Sequence, residues 1–185
     1  MKFLLKASLP PGRYFAFVGR WLVVATLVSV AAVSRSNDQP ITADKLLNTG
    51  QMLAERTHYV EALDLLGEAK DMLEASGMNQ TAIYADVLYT LAETKIKARN
   101  LQDFPALYVK TALQDIQVAN KLREKLPDVL PQKLAAGYYL EGYIHKRFFR
   151  RKREARLLLE KAKNIDPGFI PAKREIYELD AEEKK

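Results

Sequence analysis

The chain has 185 residues, 48% of them apolar and 28% charged, and it contains no cysteine. Disulfides, thiolate metal sites and cysteine nucleophiles are therefore excluded. The formal net charge is +6, but residues 1–37 contain five basic residues and no acidic one, so the rest has 24 of the 29 basic residues against all 23 acidic ones. A nucleic-acid-binding domain normally shows its basic excess in the folded part. The excess at the N-terminus indicates membrane targeting instead.

Residues 1–13 form a short basic segment, and residues 14–34 are predicted to form a transmembrane helix. A helix made from this apolar run is about 30 Å long, which is enough to cross the hydrocarbon core of a bilayer. Aromatic residues gather at the start of the run, and its arginine lies within snorkelling reach of the same end. The residues predicted to anchor the chain are Tyr14, Phe15, Phe17, Arg20, Trp21, Leu22 and Leu27.

Two other interpretations of residues 14–34 stay open. The segment has the pattern of a cleaved signal peptide with small residues near 31–34, and its arginine content without acidic residues also fits a mitochondrial presequence. Because basic residues precede the span, the positive-inside rule places the N-terminus in the cytoplasm. The predicted location is the bacterial inner membrane, single-pass, with the following domain in the periplasm. The mitochondrial inner membrane is the alternative.

Residues 35–41 are predicted to be a polar linker, and residues 42–185 one helical domain. Thr42 suits the N-cap of the first helix, and Gly77 suits the C-terminal end of the second. Apolar residues at helical spacing, with these caps and several prolines as boundaries, predict seven helices. Their ranges are 43–56, 59–76, 81–99, 105–125, 132–147, 153–165 and 172–184.

Three of the predicted helices carry two alanines seven residues apart, with a large apolar residue between them. The sets are Ala62, Leu66 and Ala69; Ala112, Ile116 and Ala119; and Ala155, Leu159 and Ala162, the last followed by Pro167. This pattern resembles the second helix of the tetratricopeptide repeat, a family of helical hairpins of about 34 residues each. Gly50 and Ala92 match the small residue of the family's first helix.

The resemblance implies an all-α fold: an N-terminal transmembrane helix, then a right-handed stack of about three helical hairpins, and a C-terminal capping helix. The leading alanines of the three sets lie 50 and 43 residues apart, longer than the family's unit of about 34. The second hairpin is therefore expected to hold about eight extra residues around 97–108. Leu47 and Gln51 stand where the family's carboxylate clamp would need lysine and asparagine, which disfavours a chaperone-tail receptor.

Members of this family grip a peptide or helix with a surface built from the first helix of each hairpin. Tyrosines are good anchors on such a surface because they give contact area at low entropy cost. Tyr84 and Tyr139, on the first helices of the second and third hairpins, are the tyrosines predicted to bind a partner.

A basic cluster around the third hairpin's turn is the other candidate for partner binding. Its residues are Lys146, Arg147, Arg150, Arg151, Lys152 and Arg153, with Phe148 and Phe149 among them. One interpretation is a docking patch for anionic lipid headgroups or an acidic protein surface. A nucleic-acid site is the least favoured. The third interpretation is a solvated turn, partly neutralised by Glu175, Glu178, Asp180, Glu182 and Glu183.

The sequence predicts neither an enzyme nor a cofactor or metal site. His58 and His145 are far apart and lack metal-ligand spacing. Ser76 is the only serine after residue 37, which excludes a serine triad. The predicted function is a membrane-anchored protein–protein interaction module that acts as scaffold, assembly factor or accessory subunit of a membrane-associated complex, with other subunits and membrane lipid as partners. The alternatives are a permanent structural subunit of a large bacterial or mitochondrial assembly, and a periplasmic or secreted repeat protein after signal cleavage.

Overall fold

The computed structural model describes residues 42–99 and 106–184, and the regular structure in these ranges is entirely helical. The predicted basic segment, membrane anchor and linker lie outside the described residues. None of the described helices is long and apolar enough to cross a bilayer. The helices are α1 (Ala43–Glu55), α2 (Tyr59–Ala75), α3 (Ala82–Ala98), α4 (Leu107–Lys125), α5 (Pro131–Arg147), α6 (Lys152–Ile165) and α7 (Ile170–Glu183).

The helix ends follow from local chemistry, and the predicted number of helices in residues 42–184 is confirmed. The Thr42 hydroxyl accepts a hydrogen bond from the backbone N–H of Lys45 at 3.4 Å, as an N-cap does. Gly77 has φ +71 after α2, a conformation that favours glycine. Helices α5 and α7 begin earlier than predicted because Pro131 and Pro171 lie in their first turns, where a missing N–H costs nothing.

Consecutive helices run antiparallel, as side-chain pairs across neighbouring helices show. Lys95 near the end of α3 pairs with Asp115 in the middle of α4 at 2.6 Å, whereas Asp86 near the start of α3 pairs with Arg123 near the end of α4 at 2.8 Å. Across α4 and α5, Gln117 bonds to Glu141 at 3.2 Å, whereas the later Arg123 bonds to the earlier Lys133 at 2.8 Å. Helices α1, α3, α5 and α7 therefore share one direction, and α2, α4 and α6 the other. The turns after α1, α3 and α5 consequently lie at one edge of the stack, and the start of α1 lies at the opposite edge.

The three hairpins share one internal packing arrangement. All nine residues of the alanine sets named above have no exposed surface. A Cβ on Gly50 of α1 would lie 2.8 Å from Leu66 Cγ, and one on Gly142 of α5 would lie 3.0 Å from Leu159 Cγ. In the first and third hairpins, glycine thus lets the first helix approach the large residue of the second. Ala92 of α3 is fully buried in the middle hairpin.

The buried apolar residues form two clusters. The larger one fills the first two hairpins and extends to Leu140 and Ile144 of α5. The smaller one lies between α5, α6 and α7 and includes Tyr138, Leu159 and Leu179. Helix α5 contributes to both clusters, so it joins the two halves of the described domain.

Candidate functional site

Five half-buried aromatic side chains form a row across helices that share one direction. Tyr139 and Tyr143 lie one turn apart on α5, with ring centroids 6.2 Å apart. Phe169, before α7, packs edge-on against Tyr139 at 5.5 Å, and Phe148, after α5, packs edge-on against Tyr143 at 6.3 Å. Tyr89 of α3 is also half-buried and lines the adjoining cleft together with Ala136, one turn before Tyr139 on α5. We call Tyr89, Tyr139, Tyr143, Phe148 and Phe169 the aromatic face.

A cleft of about 270 Å³ opens beside Tyr89, between α1, α3, α4 and α5. Its wall includes Arg123, whose side chain is only 3% exposed. Arg123 donates to Asp86 Oδ1 and to the Lys133 backbone carbonyl, both at 2.8 Å, and its guanidinium lies 4.8 Å from the Tyr89 ring centroid. Lys133 Nζ also pairs with Asp86, at 2.6 Å. The other lining residues are Gln51, Thr90, Gln132 and Ala136.

Tyr89 and Tyr139 of this face keep their protons at physiological pH. Burial raises the pKa of Tyr89, and the nearby Glu93 adds to the increase. Burial also raises the pKa of Tyr139, with Glu175 as the next cause. A protonated phenol offers an apolar ring together with one hydrogen-bond donor, a combination typical of protein-binding surfaces.

The two tyrosines predicted from the sequence lie in different surroundings. Tyr139 belongs to the aromatic face. Tyr84 is 7% exposed, and its hydroxyl donates to Glu74 of α2 at 2.5 Å. Tyr84 therefore joins the first two hairpins, and Tyr89 is the tyrosine of α3 that lines the cleft.

Part of the predicted basic cluster is neutralised by α7. The Lys146 side chain is 4% exposed and pairs with Glu175 at 2.6 Å and Glu178 at 2.9 Å. Arg147 pairs with Glu178 at 2.9 Å. These contacts hold α7 against α5 and leave little of Lys146 for a partner. The further pairs are Lys152 with Glu182, and Arg156 with Asp180 and Glu183.

The other three arginines of the cluster have no acidic partner within residues 42–99 and 106–184. Arg150, Arg151 and Arg153 are all exposed. Arg151 lies over the ring of Phe149, with 5.5 Å from its guanidinium carbon to the ring centroid. The basic cluster therefore divides into a paired group, which is structural, and an unpaired group at the tip of the turn.

A buried polar contact fixes the second and third hairpins against each other beneath the face. Glu141 of α5 accepts from Asn120 Nδ2 of α4 at 2.9 Å and from Gln117 Nε2 at 3.2 Å. A Cβ on Gly137 would lie only 1.9 Å from Asn120 Oδ1. Glycine at 137 is thus required for α4 and α5 to approach closely enough for this contact.

The histidines do not converge in the structure. His145 is 6% exposed in the last turn of α5, and its Nδ1 is buried without a hydrogen-bond partner in the described part of the chain. His58 lies in the α1–α2 turn, 3.9 Å from Glu61. Over the described ranges no three histidine or acidic side chains are grouped closely enough to hold a metal ion.

Comparisons with protein-family models, with curated proteins and with solved structures gave no match. The structure alone therefore defines the class of protein: the described residues form an all-helical fold. The candidate functional site of this fold is the aromatic face together with the adjoining cleft.

Sequence reasoning missed Tyr89, Phe148, Phe169 and Arg123 as members of this surface. Tyr89 lies one turn after Asp86, and Tyr143 one turn after Tyr139, so helical spacing places each on the same side of its helix. That signal was present in the sequence. Phe148 and Phe169 lie outside the helices: Phe148 packs back against Tyr143 of the helix it follows, and Phe169 joins the row because α7 packs against α5.

Proposed function

We propose that residues 42–184 form a divergent, right-handed tetratricopeptide-like stack that binds another protein through the aromatic face. Support comes from the three equivalent alanine sets, which are fully buried in all three hairpins. Two glycines at corresponding helix contacts, Gly50 and Gly142, add to it. The extra length of the second hairpin lies in the connection between Ala98 and Leu107.

The observation that carries the binding proposal is the row of half-buried aromatic rings beside a polar cleft. Aromatic residues and arginine are enriched at protein interfaces. Aromatic rings bury large areas with few rotatable bonds, and arginine offers a planar group with several hydrogen-bond donors. Here the rings are held in place by edge-on packing, and Arg123 is fixed by Asp86. A prearranged surface of this kind loses little entropy on binding. The proposed role is non-enzymatic.

We further propose that residues 14–34 hold this domain at a membrane, so that it serves as scaffold, assembly factor or accessory subunit of a membrane complex. The support is the sequence alone: an apolar run long enough to span, preceded by basic residues. The favoured setting is the periplasmic side of a bacterial inner membrane. Carbonate extraction should leave the chain in the membrane pellet, and protease added to spheroplasts should digest the helical domain. Full release by carbonate would refute the anchor.

The aromatic face is tested by truncating two of its rings in the full-length protein. Crosslinking in the native membrane should capture a discrete partner, and the Tyr139→Ala/Tyr143→Ala variant should reduce its yield about tenfold, as for interface anchors worth more than 1 kcal/mol each. Leu157→Ala is the control, because Leu157 is 73% exposed on the second helix α6. Equal yields from the wild type and the tyrosine variant, at matched thermal stability, would refute the proposal.

A further inference from the structure

The unpaired arginines lie next to one end of the aromatic face. Arg99, at the end of α3, places its guanidinium carbon 5.4 Å from the centroid of the Phe148 ring. Phe148 is the last ring of the face and leads directly into the turn that carries Arg150, Arg151 and Arg153. We call Arg99, Arg150, Arg151 and Arg153 the arginine edge.

The turn that presents three of these arginines is well ordered by its own hydrogen bonds. The backbone N–H of Arg151 donates to the carbonyl of His145 at 3.0 Å, and that of Ala155 donates to the carbonyl of Arg151 at 3.0 Å. Arg150 has φ +54, an uncommon conformation for a residue other than glycine. The arginines are thus held on a fixed backbone and not on a loose loop.

The charge of the edge is not cancelled by the rest of the described domain. The acidic residues of α7 are engaged with the paired group, as in the contacts of Lys152 with Glu182 at 2.8 Å and Arg156 with Asp180 at 2.7 Å. Glu154 is the acidic neighbour on the turn itself, so an excess of positive charge remains. Arginine prefers carboxylates and phosphates because its planar group donates two parallel hydrogen bonds.

The arginine edge lies at the far ends of α3 and α5, opposite the start of α1. Because Arg99 lies over Phe148 of the aromatic face, the edge is continuous with the proposed protein-binding face. This continuity favours a protein over a lipid surface.

We propose that the arginine edge binds an acidic segment of the partner protein, a run of aspartate or glutamate that continues from the part lying on the aromatic face. This inference rests on the proposed protein-binding function and specifies the chemistry of the partner. The partner segment then has apolar or aromatic residues over Tyr139 and Tyr143, and carboxylates where it passes Phe148.

The test uses the full-length protein in mild detergent with a fluorescein-labelled oligoglutamate peptide, measured by fluorescence anisotropy at an ionic strength of about 0.1 M, where the Debye length is about 10 Å. The variant Arg150→Glu/Arg151→Glu/Arg153→Glu should weaken binding about tenfold or more, since three attractive surface pairs become repulsive. The matched control is Lys45→Glu/Lys121→Glu/Lys173→Glu, which changes the net charge equally at the opposite edge through exposed lysines. It should weaken binding less than about threefold, because its charges lie beyond a Debye length.

Equal losses of peptide binding in the arginine variant and the lysine control would overturn the inference, because binding would then respond to net charge alone. Unchanged peptide binding in the arginine variant would also overturn it. The inference would also be overturned if the arginine variant lost its binding to phosphatidylglycerol vesicles and kept its binding to the peptide, because the edge would then be a lipid contact. Arg→Gln substitutions at the same three positions should give a smaller loss in the same direction. A native partner captured by the arginine variant as by wild type, but lost by the tyrosine variant, would refute the edge and keep the proposed function.

Discussion

The junction between the first and second hairpins differs in kind from the junction between the second and third. The α2–α3 junction is mainly apolar, with Leu73 and Leu88 buried in the larger cluster, and its hydrogen bond from Tyr84 to Glu74 is only half-buried. The α4–α5 junction is polar, with Asn120 at 2%, Arg123 at 4% and Glu141 at 8% exposure. Both junctions join equivalent helices, so the difference in chemistry is not required by the stacking itself.

This difference between the junctions indicates which forces position the candidate binding surface. Apolar burial is strong but non-directional, so the apolar contacts of the first junction stabilise the described domain without by themselves specifying one alignment. Buried hydrogen bonds and ion pairs stabilise less but are strongly directional. The cleft borders the second junction, since Arg123 of α4 and Lys133 of α5 both line it. Directional contacts therefore fix the geometry where the proposed function needs it.

The largest expected effect is in the apolar cluster that fills the first two hairpins. Leu66 has no exposed surface and contacts the first helix of its own hairpin at Gly50. Leu66→Ala should lower the free energy of unfolding by about 4 kcal/mol, through lost burial and the cavity left behind. Urea unfolding should show this loss equally at low and high salt. A loss below about 1 kcal/mol would contradict the importance given to this cluster.

The next effect is at the ion pair between Asp86 of α3 and Arg123 of α4, which borders the polar junction. Asp86→Ala leaves the buried Arg123 without its carboxylate and should cost about 3 kcal/mol. The double variant Asp86→Ala/Arg123→Met removes the stranded charge and should recover much of that loss. Urea unfolding of the single and double variants checks this. A double variant as unstable as Asp86→Ala would show that the charge was not the cause.

A smaller effect is expected from adding a side chain at Gly137. Gly137→Ala places a methyl group on Asn120 Oδ1 and should destabilise by about 2 kcal/mol, as overpacking does. Gly67→Ala is the matched control in α2, where a Cβ meets no atom within 4 Å. It should stabilise by up to about 1 kcal/mol because alanine is the better helix former. Thermal melts that shift both variants in the same direction would argue against a close α4–α5 approach.

The smallest expected effect is a pH dependence of the free energy of unfolding that comes from His145. Burial lowers the pKa of His145 in the folded state, with Glu141 and Glu154 partly offsetting it. As pH falls below about 6.5, the unfolded state binds the proton first, so stability decreases with acidification. The slope cannot exceed about 1.4 kcal/mol per pH unit for one proton.

His145→Gln should flatten this slope between neutral pH and about pH 5, as followed by urea unfolding at several pH values. A slope that stays as in wild type after this substitution would contradict the role given to His145.

Local signals predicted the helices well because caps, prolines and apolar spacing act within a few residues. Thr42 and Gly77 are two such cases. The pairing of the basic cluster could not be predicted, since its outcome depends on how α7 packs against α5 and α6. Lys146 and Arg150 look alike in the sequence, yet one is buried against Glu175 and the other is exposed.

The close approach of α4 and α5 at Gly137 could not be predicted from the sequence either. A glycine inside a helix can serve packing or be incidental, and Gly137 and Gly67 show both cases within one chain. The aromatic face was only partly predictable, because Tyr139 follows from helical spacing but its partner Phe169 belongs to a different element.

Site-specific photo-crosslinking in the native membrane tests the central claim most directly. A photoreactive residue is placed at Tyr139 on the aromatic face and, separately, at Leu157 on the outer side of α6. Binding through the first helices predicts a discrete adduct from position 139 and none from position 157. An adduct from 157 with none from 139 would contradict it.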